Sequence, residues 1–364
     1  MPDKKYRVAV VGGAGTWGRH YLRAYAQHPN CQVIALVDRA RDRRREFAEL
    51  YGIDAVYDTL GELLARKIPD IVSAVIPVGH NCEVVTACAE AGVRVVSCEK
   101  PIAAELSQAD AMVRICREHG TVFSCGSVYS GVPYLQETIE WVRSGHLGPL
   151  QSAVIPGGLP REVSGGCCVQ LTLLRLLSGL EVEWAEGWAL PPDKGWMPAS
   201  GAPDTETDST AYGRLGLTGG IICQIPAPGS GEKAPGTVGV TGTQGQVWLS
   251  SPRPTFIQGQ GEGSTQVVPA FLETPPPDDF FTLRIDRLMR SFDSGRDELD
   301  SGRGYHQALE IAIALKQSAQ RDHQRISLPL EDRSLRLFPH PYRLQGGDVA
   351  GWESIGSKGP PQVE

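Results

Sequence analysis

The stretch "YRVAVVGGAGTWGRHYLRAYAQ", residues 6–27, predicts the N-terminal part of the fold. It starts with a β-rich apolar run, turns at glycines and continues with apolar residues at helical spacing. Three of the glycines spell GxGxxG at the strand-to-helix junction, where they permit a tight turn, close approach of a pyrophosphate and close helix–strand packing. The helix N-terminus then faces the phosphates. The predicted pyrophosphate loop consists of Gly13, Ala14, Gly15, Thr16, Trp17 and Gly18.

A second apolar run, "CQVIALVD", ends at Asp38, twenty residues after Gly18. A carboxylate in this place accepts hydrogen bonds from the adenosine ribose hydroxyls, which favours NAD as the cofactor. Arg39 follows directly and would suit a 2′-phosphate, so NADP remains an alternative. The basic run "DRARDRRRE", residues 38–46, is interpreted as the solvated face of a helix.

Strands and helices continue to alternate up to residue 123. Helices are predicted over 40–51, 59–66, 81–91 and 105–119, and apolar strands lie between them. This alternation predicts a doubly wound parallel sheet in a first domain, residues 1–123, with ligands at the carboxyl ends of the strands. The residues expected at that edge, besides the glycine loop, are Asp38, Ile76, Pro77, Glu99, Lys100 and Gly126.

The pattern changes after residue 123. A helix over "PYLQETIEWVRSG" and an apolar helix at 167–178 accompany several successive short strands, which predicts an α+β domain with an open, mostly antiparallel sheet and helices on one face. We assign residues 124–330 to this domain, closed by helices 279–293 and 302–320. Residues 331–364 lose periodicity and are expected to form an extended arm or tail.

Composition restricts the class of protein. The chain of 364 residues has a net charge of −7, which disfavours nucleic acid as a partner. No apolar run is long enough for a membrane span, and the N-terminus lacks an apolar signal core. Nine cysteines without CxxC spacing favour buried reduced thiols over disulfides or a metal site, so a cytoplasmic protein is expected.

Several motifs in the right order resemble the glucose–fructose oxidoreductase / inositol dehydrogenase / MocA (Gfo/Idh/MocA) family. They are "GGAGTWGRH", "IPVGHN", "AGVRVVSCEKPIA", "IEWVRSGHLGPLQSAV", "VGVTGTQGQVWLSS" and "SGRGYHQALEIAIALKQSAQRDHQRISLPL". The resemblance covers about residues 6–330. It implies an NAD(P)-dependent oxidoreductase, with Lys100 of "CEKPIA" beside the nicotinamide and the substrate oxygen. It also implies a homodimer or homotetramer formed through the face of the C-terminal sheet that contains the 237–250 strand.

The first domain departs from the family pattern near the expected site. Asn81 stands where the family usually has a histidine, and His80 is one place earlier. We place Asn81 in the cofactor site and His80 among the candidate catalytic residues. The family's Asn and Arg at the start of the second domain correspond to Val128 and Ser130, which leaves Tyr129 as a candidate donor or a space-filling tyrosine.

The segment "SGGCCVQLTLLRLLSG", residues 164–179, departs further. The family commonly has Asp-x-x-x-His-x-x-Asp here, and those three positions fall on Gly165, Val169 and Thr172, which cannot exchange a proton as carboxylates or imidazole do. Cys168 is a poor base at its ordinary pKa. The candidate substrate-contacting residues are Arg161, Glu162, Cys168 and Thr172.

Three functions therefore remain open. The first is a nicotinamide-dependent reductase of a small organic substrate that needs little acid/base help from the protein. The second is a conventional sugar or cyclitol dehydrogenase, with Lys100 and a displaced residue such as His80 or Tyr129 handling the proton. The third is a non-catalytic nucleotide-binding sensor or assembly protein.

Overall fold

A computed structural model gives the structure of the chain. It describes residues 5–126, 132–159, 168–192, 202–230, 234–250, 252–275, 279–296 and 301–345. Within these ranges the chain forms two sheets, one of six strands and one of nine.

The six-stranded sheet is parallel and has the order β3-β2-β1-β4-β5-β6. Its central strands are buried on both faces, as expected for apolar runs in a covered parallel sheet. The strands are β1 (Tyr6–Val11), β2 (Cys31–Val37), β3 (Val56–Tyr57), β4 (Ile71–Ala74), β5 (Val95–Cys98) and β6 (Val122–Cys125). The helices connecting them are α1 (Gly18–Gln27), α2 (Arg41–Tyr51), α3 (Leu60–Leu64), α4 (Asn81–Glu90) and α5 (Leu106–Glu118). The doubly wound fold predicted for the N-terminal domain is confirmed.

The nine-stranded sheet is mostly antiparallel and has the order β14-β13-β12-β11-β7-β10-β9-β8-β15, with β7 and β10 paired in parallel. Its strands are β7 (Leu150–Val154), β8 (Val182–Ala189), β9 (Ala211–Leu217), β10 (Ile221–Ile225), β11 (Val238–Gly242), β12 (Gly245–Leu249), β13 (Thr255–Gln258), β14 (Thr265–Val267) and β15 (Ile326–Ser327). The predicted second fold class, an open sheet in an α+β arrangement, is also confirmed.

Helices α6 (Leu135–Arg143), α7 (Cys168–Ser178) and α9 (Gly302–Gln320) accompany the second sheet. Helix α9 packs on β8, while α7 packs on β11 and against α9. Side chains alternate along β8: Ala185 and Gly187 are buried, and Gly187 lies against Leu315 of α9. Trp184 and Trp248 are partly exposed on the other face of the sheet.

Helix α8 (Phe280–Ser294) corrects one expectation. The sequence suggested that it closes the second domain, but it packs against α1, β5 and β6 of the first. Its apolar face, with Ile285, Leu288 and Phe292, joins the same buried cluster as Val8 and Val10 of β1. An amphipathic helix specifies that it needs an apolar surface, but its sequence does not specify which of two adjacent sheets supplies it.

The structure describes the arm after residue 330 as far as residue 345. Leu106 N–H donates to the Leu335 carbonyl, and Leu337 N–H donates to the Ala104 carbonyl, which ties the arm to the first domain. The arm then crosses to the second domain, where Asp208 N–H donates to the Phe338 carbonyl. The described part of the arm includes the short helix α10 (Pro341–Gln345), packed against the turn at Val78–His80.

Candidate functional site

The glycine loop between β1 and α1 has the shape that a pyrophosphate site requires. Gly12 adopts φ 78°, and a Cβ atom there would lie 2.2 Å from the Val75 carbonyl oxygen. A Cβ atom at Gly18, where α1 begins, would lie 1.8 Å from the Gly12 carbonyl oxygen. Both positions therefore accept only glycine. The sequence analysis had assigned the turn to Gly13 and had left Gly12 out of the site.

Asp38 at the end of β2 is adjacent to this loop. One carboxylate oxygen accepts a hydrogen bond from Ala14 N–H at 2.9 Å, and the other accepts from Ala40 N–H at 2.8 Å. The residue remains partly exposed. Because each carboxylate oxygen accepts more than one hydrogen bond, Asp38 can support the loop and still accept from a ribose hydroxyl.

The basic run on α2 is only in part the solvated face that the sequence suggested, since Arg41 and Arg45 are exposed. Arg43 is 3% exposed and Arg44 is 6% exposed. Arg43 Nε donates to the Ala14 carbonyl at 3.0 Å, and Arg44 donates to the carbonyls of Asp38 and Tyr57. These two arginines hold the loop and the end of β2, whereas Arg39 is exposed. Arg44 also forms an ion pair with Asp58 at 2.5 Å. The sequence does not reveal these partners, which distinguish the two residues from surface arginines.

The edge formed by the end of β4 also holds candidate residues. Ile76 contacts the glycine loop, since its Cγ2 lies 2.9 Å from the position of a Cβ at Gly12. Pro77 is partly buried and begins the turn that His80 ends. His80 is exposed at the start of α4. A Cβ at Gly79 would lie 2.9 Å from the Leu344 carbonyl of the arm.

The side chain of Asn81, a residue predicted to lie in the cofactor site, binds the loop that follows β5. It is 1% exposed, and its side-chain amide donates to three carbonyl oxygens of the loop after β5, at 3.1–3.2 Å. The acceptors belong to Glu99, Pro101 and Ile102. Asn81 thus fixes the loop that carries Lys100, which is partly exposed at the carboxyl end of β5.

The side chain of Glu99 is held by groups of the protein. Its carboxylate is enclosed and accepts hydrogen bonds from Tyr21 Oη and from Lys100 N–H. Burial raises the pKa of this carboxyl, and the hydrogen bond from Tyr21 and the charges of Lys100 and Arg284 oppose that rise. Glu99 is therefore a buried support of the Lys100 loop.

Helix α7 places Cys168 near Lys100, since the charges of Lys100, Glu99, Arg343 and Asp208 all act on its thiol. Burial raises the pKa of this thiol to about 12, so Cys168 is no base near neutral pH. Thr172 donates its hydroxyl to the Cys168 carbonyl at 2.7 Å, and its methyl lies beside Gly304 of α9. Thr172 and Val169 are both buried, and the predicted contact of Thr172 with substrate stays a prediction.

Asp208 and Arg343 reach the surroundings of Cys168 from elements that the sequence analysis did not connect with the site. Asp208 precedes β9 and is 0% exposed, and Arg343 belongs to α10. Lys316 of α9 faces Asp208 and donates to Ser209 Oγ at 2.8 Å, and burial lowers the pKa of this lysine. The segment "TDS" at 207–209 gives only a weak indication of a site residue, because an aspartate before a strand usually begins a turn.

Some predicted site residues lie outside the described ranges. These are Tyr129, Val128 and Ser130, and Arg161, Glu162 and Gly165. Among the residues that the structure describes, no group of histidine, cysteine and carboxylate side chains could hold a metal ion. No helix in the described part of the chain is both long and apolar enough to cross a membrane.

The parallel sheet, the loop closed by Gly12 and Gly18 and the carboxylate of Asp38 define an NAD-binding Rossmann domain. Residues 6–127 match the sequence model GFO_IDH_MocA, described as an oxidoreductase family with an NAD-binding Rossmann fold. The N-terminal domain of the chain, residues 6–127, is thus similar to the NAD-binding domain of this oxidoreductase family. The loop fits the cofactor, since a side chain at Gly12 or Gly18 would close the turn.

Relatives differ in how much of the chain they match. D-apiose dehydrogenase of Paraburkholderia graminis is 27% identical over 40% of this chain, and the match spans only 38% of that protein's length. Myo-inositol 2-dehydrogenase of Thermotoga maritima is 24% identical over 90% of this chain and 99% of its own. The aldose-aldose oxidoreductase of Caulobacter crescentus, solved with glycerol, has a TM-score of 0.72 and 22% identity over 89% of this chain and 100% of its own. This last likeness shows the fold.

Proposed function

We propose that the protein is an NAD-dependent oxidoreductase that transfers hydride between the nicotinamide and a small polyhydroxylated substrate of the sugar or cyclitol class. The observation that carries this proposal is the position of Lys100, at the same sheet edge as the glycine loop and near Cys168 of α7. The names of relatives support the substrate class, since they include an inositol dehydrogenase and a levoglucosan dehydrogenase in complex with NADH and levoglucosan.

Lys100 has a specific role in this proposal. An ammonium group held at the sheet edge donates a hydrogen bond to the substrate oxygen and stabilises negative charge that develops on it. Asn81 fixes the loop backbone on both sides of Lys100, so the backbone that carries the amine is held in place without the substrate. The bound cofactor supplies or accepts the hydride.

We propose further that reduction of a carbonyl or imine is the favoured direction. The described side chains of α7 nearest to Lys100 include no group that titrates near neutrality, because Cys168 has a pKa of about 12 and Val169 has no proton to exchange. Reduction can draw its proton from Lys100 or from water, whereas oxidation of an alcohol needs a base. The second candidate, alcohol oxidation, is supported by Asp208, a carboxylate in the same surroundings.

The test is a panel of substrates in both directions. NADH with keto-sugars, keto-inositols and imines, and NAD with the matching polyols, would be followed through the absorbance of NADH. We expect turnover with members of the reductive panel and much slower turnover with polyols. Faster oxidation that disappears in Asp208→Asn would favour the second candidate. NADH binding without turnover of any compound would favour a nucleotide-binding sensor or assembly protein.

A further inference from the structure

The carboxylate of Glu99 is a buried ionisable group that hydride transfer itself does not use. Tyr21 Oη, from the first turn of α1, donates to one of its oxygens, and Lys100 N–H donates to the other at 3.2 Å. Glu99 N–H donates to the Ala74 carbonyl of β4 at 3.1 Å. Glu99 therefore connects the helix of the pyrophosphate loop to the backbone of Lys100.

A positive charge compensates this buried carboxylate. Arg284 of α8 is 1% exposed, and its guanidinium donates to Ser97 Oγ at 3.0 Å, two residues before Glu99. Its charge acts on Glu99 and on Tyr21. A buried carboxylate without compensation would be costly, so Arg284 gives α8 a second task beside apolar packing.

Groups from several elements surround Glu99. Those that titrate or carry charge are Tyr21 of α1, Lys100 of its own loop, Cys125 of β6, Cys168 of α7, Arg284 of α8 and Tyr305 of α9. Lys100 and Arg284 are the cations among them. The two cysteines and two tyrosines remain neutral near pH 7 because burial raises their pKa values.

We propose that Tyr21 and Arg284 are positioning residues for Lys100: they hold the Glu99 carboxylate in place beneath the Lys100 loop, and that carboxylate in turn holds the backbone of Lys100. The proposal deepens the proposed function and rests on it for the role of Lys100. The hydrogen bonds and burial that carry it are independent of any substrate.

The expected pH dependence of stability follows from the direction in which folding shifts the pKa of Glu99. A carboxyl whose pKa is raised on folding destabilises the fold progressively as pH rises above its unfolded value, about 4.5. The hydrogen bond from Tyr21 opposes the rise, so its loss raises the pKa further and enlarges the destabilisation. The difference in melting temperature between the wild type and Tyr21→Phe should therefore widen as pH rises from about 5 to 8.

Tyr25→Phe is the matched control, because Tyr25 lies one turn further along α1 and is also fully buried. The difference in melting temperature between Tyr25→Phe and the wild type should not depend on pH. The double variant Tyr21→Phe/Glu99→Gln should likewise differ from Glu99→Gln by an amount that does not depend on pH, since the amide does not ionise. Where a substrate is turned over, Tyr21→Phe should lower kcat about ten- to hundredfold with unchanged NADH affinity, and Arg284→Lys should lower kcat less than Arg284→Met.

The outcomes separate the two proposals. A pH-independent difference for Tyr21→Phe, equal to that of Tyr25→Phe, overturns the positioning network whether or not a substrate is known. A widening difference without turnover of any compound by the wild type supports the network and contradicts the proposed function. A widening difference together with a kcat equal to that of the wild type contradicts the role assigned to the network in positioning Lys100.

Discussion

The side-chain amide of Asn81 lies 3.1 Å from the carbonyl oxygen of Pro101 and 3.1 Å from that of Glu99, so one buried residue at the start of α4 spans the Lys100 loop. Replacing it with leucine keeps approximately the size and removes the amide donor from the carbonyls of Glu99, Pro101 and Ile102, of which that of Glu99 keeps a weak contact with the Cys125 thiol. We expect a loss of about 1–3 kcal/mol in the free energy of unfolding. Faster amide hydrogen exchange at residues 99–102 should accompany it. Asn30→Ala, at an exposed turn, is the control. An equal loss of stability in this variant would contradict the role of Asn81 in fixing the Lys100 loop.

The glycine loop gives a prediction about cofactor binding. Gly12→Ala and Gly18→Ala each place a Cβ against backbone oxygen, so NADH affinity should fall at least about a hundredfold, or the domain should unfold. Quenching of tryptophan fluorescence measures binding, since Trp17 in the loop is exposed. Gly61→Ala, where a Cβ meets open space, should bind NADH as the wild type does. Tight NADH binding by a folded Gly18→Ala protein would show that the cofactor binds elsewhere.

The anchor of the arm predicts a pH dependence of stability. Arg333 donates two hydrogen bonds to Asp110, at 2.7 and 2.8 Å, and His306 contacts the same carboxylate, which together lower the pKa of Asp110. A lowered pKa contributes stability that is present above the ordinary value of 3.8 and is lost as pH falls below it. The gap in melting temperature between the wild type and Asp110→Asn should therefore be present at pH 6 and shrink toward pH 3. Since the pair is partly exposed, the gap should be small. A difference in melting temperature that grows as pH falls would contradict this prediction. Asp54→Asn, at an exposed position, serves as the control.

The exposed face of the nine-stranded sheet predicts assembly with a second copy of the chain. The face of the nine-stranded sheet opposite α9 exposes Trp184 and Trp248 in part, and tryptophans are typical of interfaces. We propose a homodimer or a tetramer built through this face. Light scattering at micromolar concentration should give a mass of at least two chains, and Trp248→Glu should shift it toward the monomer. A monomeric wild type would overturn the proposal.

The sequence predicted those parts of the molecule in which neighbours in the chain are neighbours in space. The strand, glycine turn and helix of residues 6–27 form one contiguous unit, and Asp38 follows at the distance that the motif requires. The positions of Arg43 and Asn81 could not be predicted, because each is defined by carbonyl groups from distant segments. Helix α8 was misplaced for the same reason: its pattern shows an apolar face without naming the surface that covers it.

The last prediction concerns the group that handles the proton. If Lys100 is the donor to the substrate oxygen, Lys100→Met should lower the rate of carbonyl reduction by about 10²–10⁴, the range typical of general acid/base catalysis, and leave NADH binding measurable. Cys168→Ser and Thr172→Val should have small effects, because the Cys168 thiol stays protonated and the Thr172 hydroxyl already donates to a carbonyl of its own helix. Asp208→Asn, at a fully buried position, separates the two directions of reaction. Carbonyl reduction should continue in this variant. A conventional dehydrogenase that relies on the Asp208 carboxylate would lose polyol oxidation. Rates for the four variants, measured in both directions with the substrate found in the panel, decide the matter. A Lys100→Met protein as active as the wild type would remove Lys100 from the reaction.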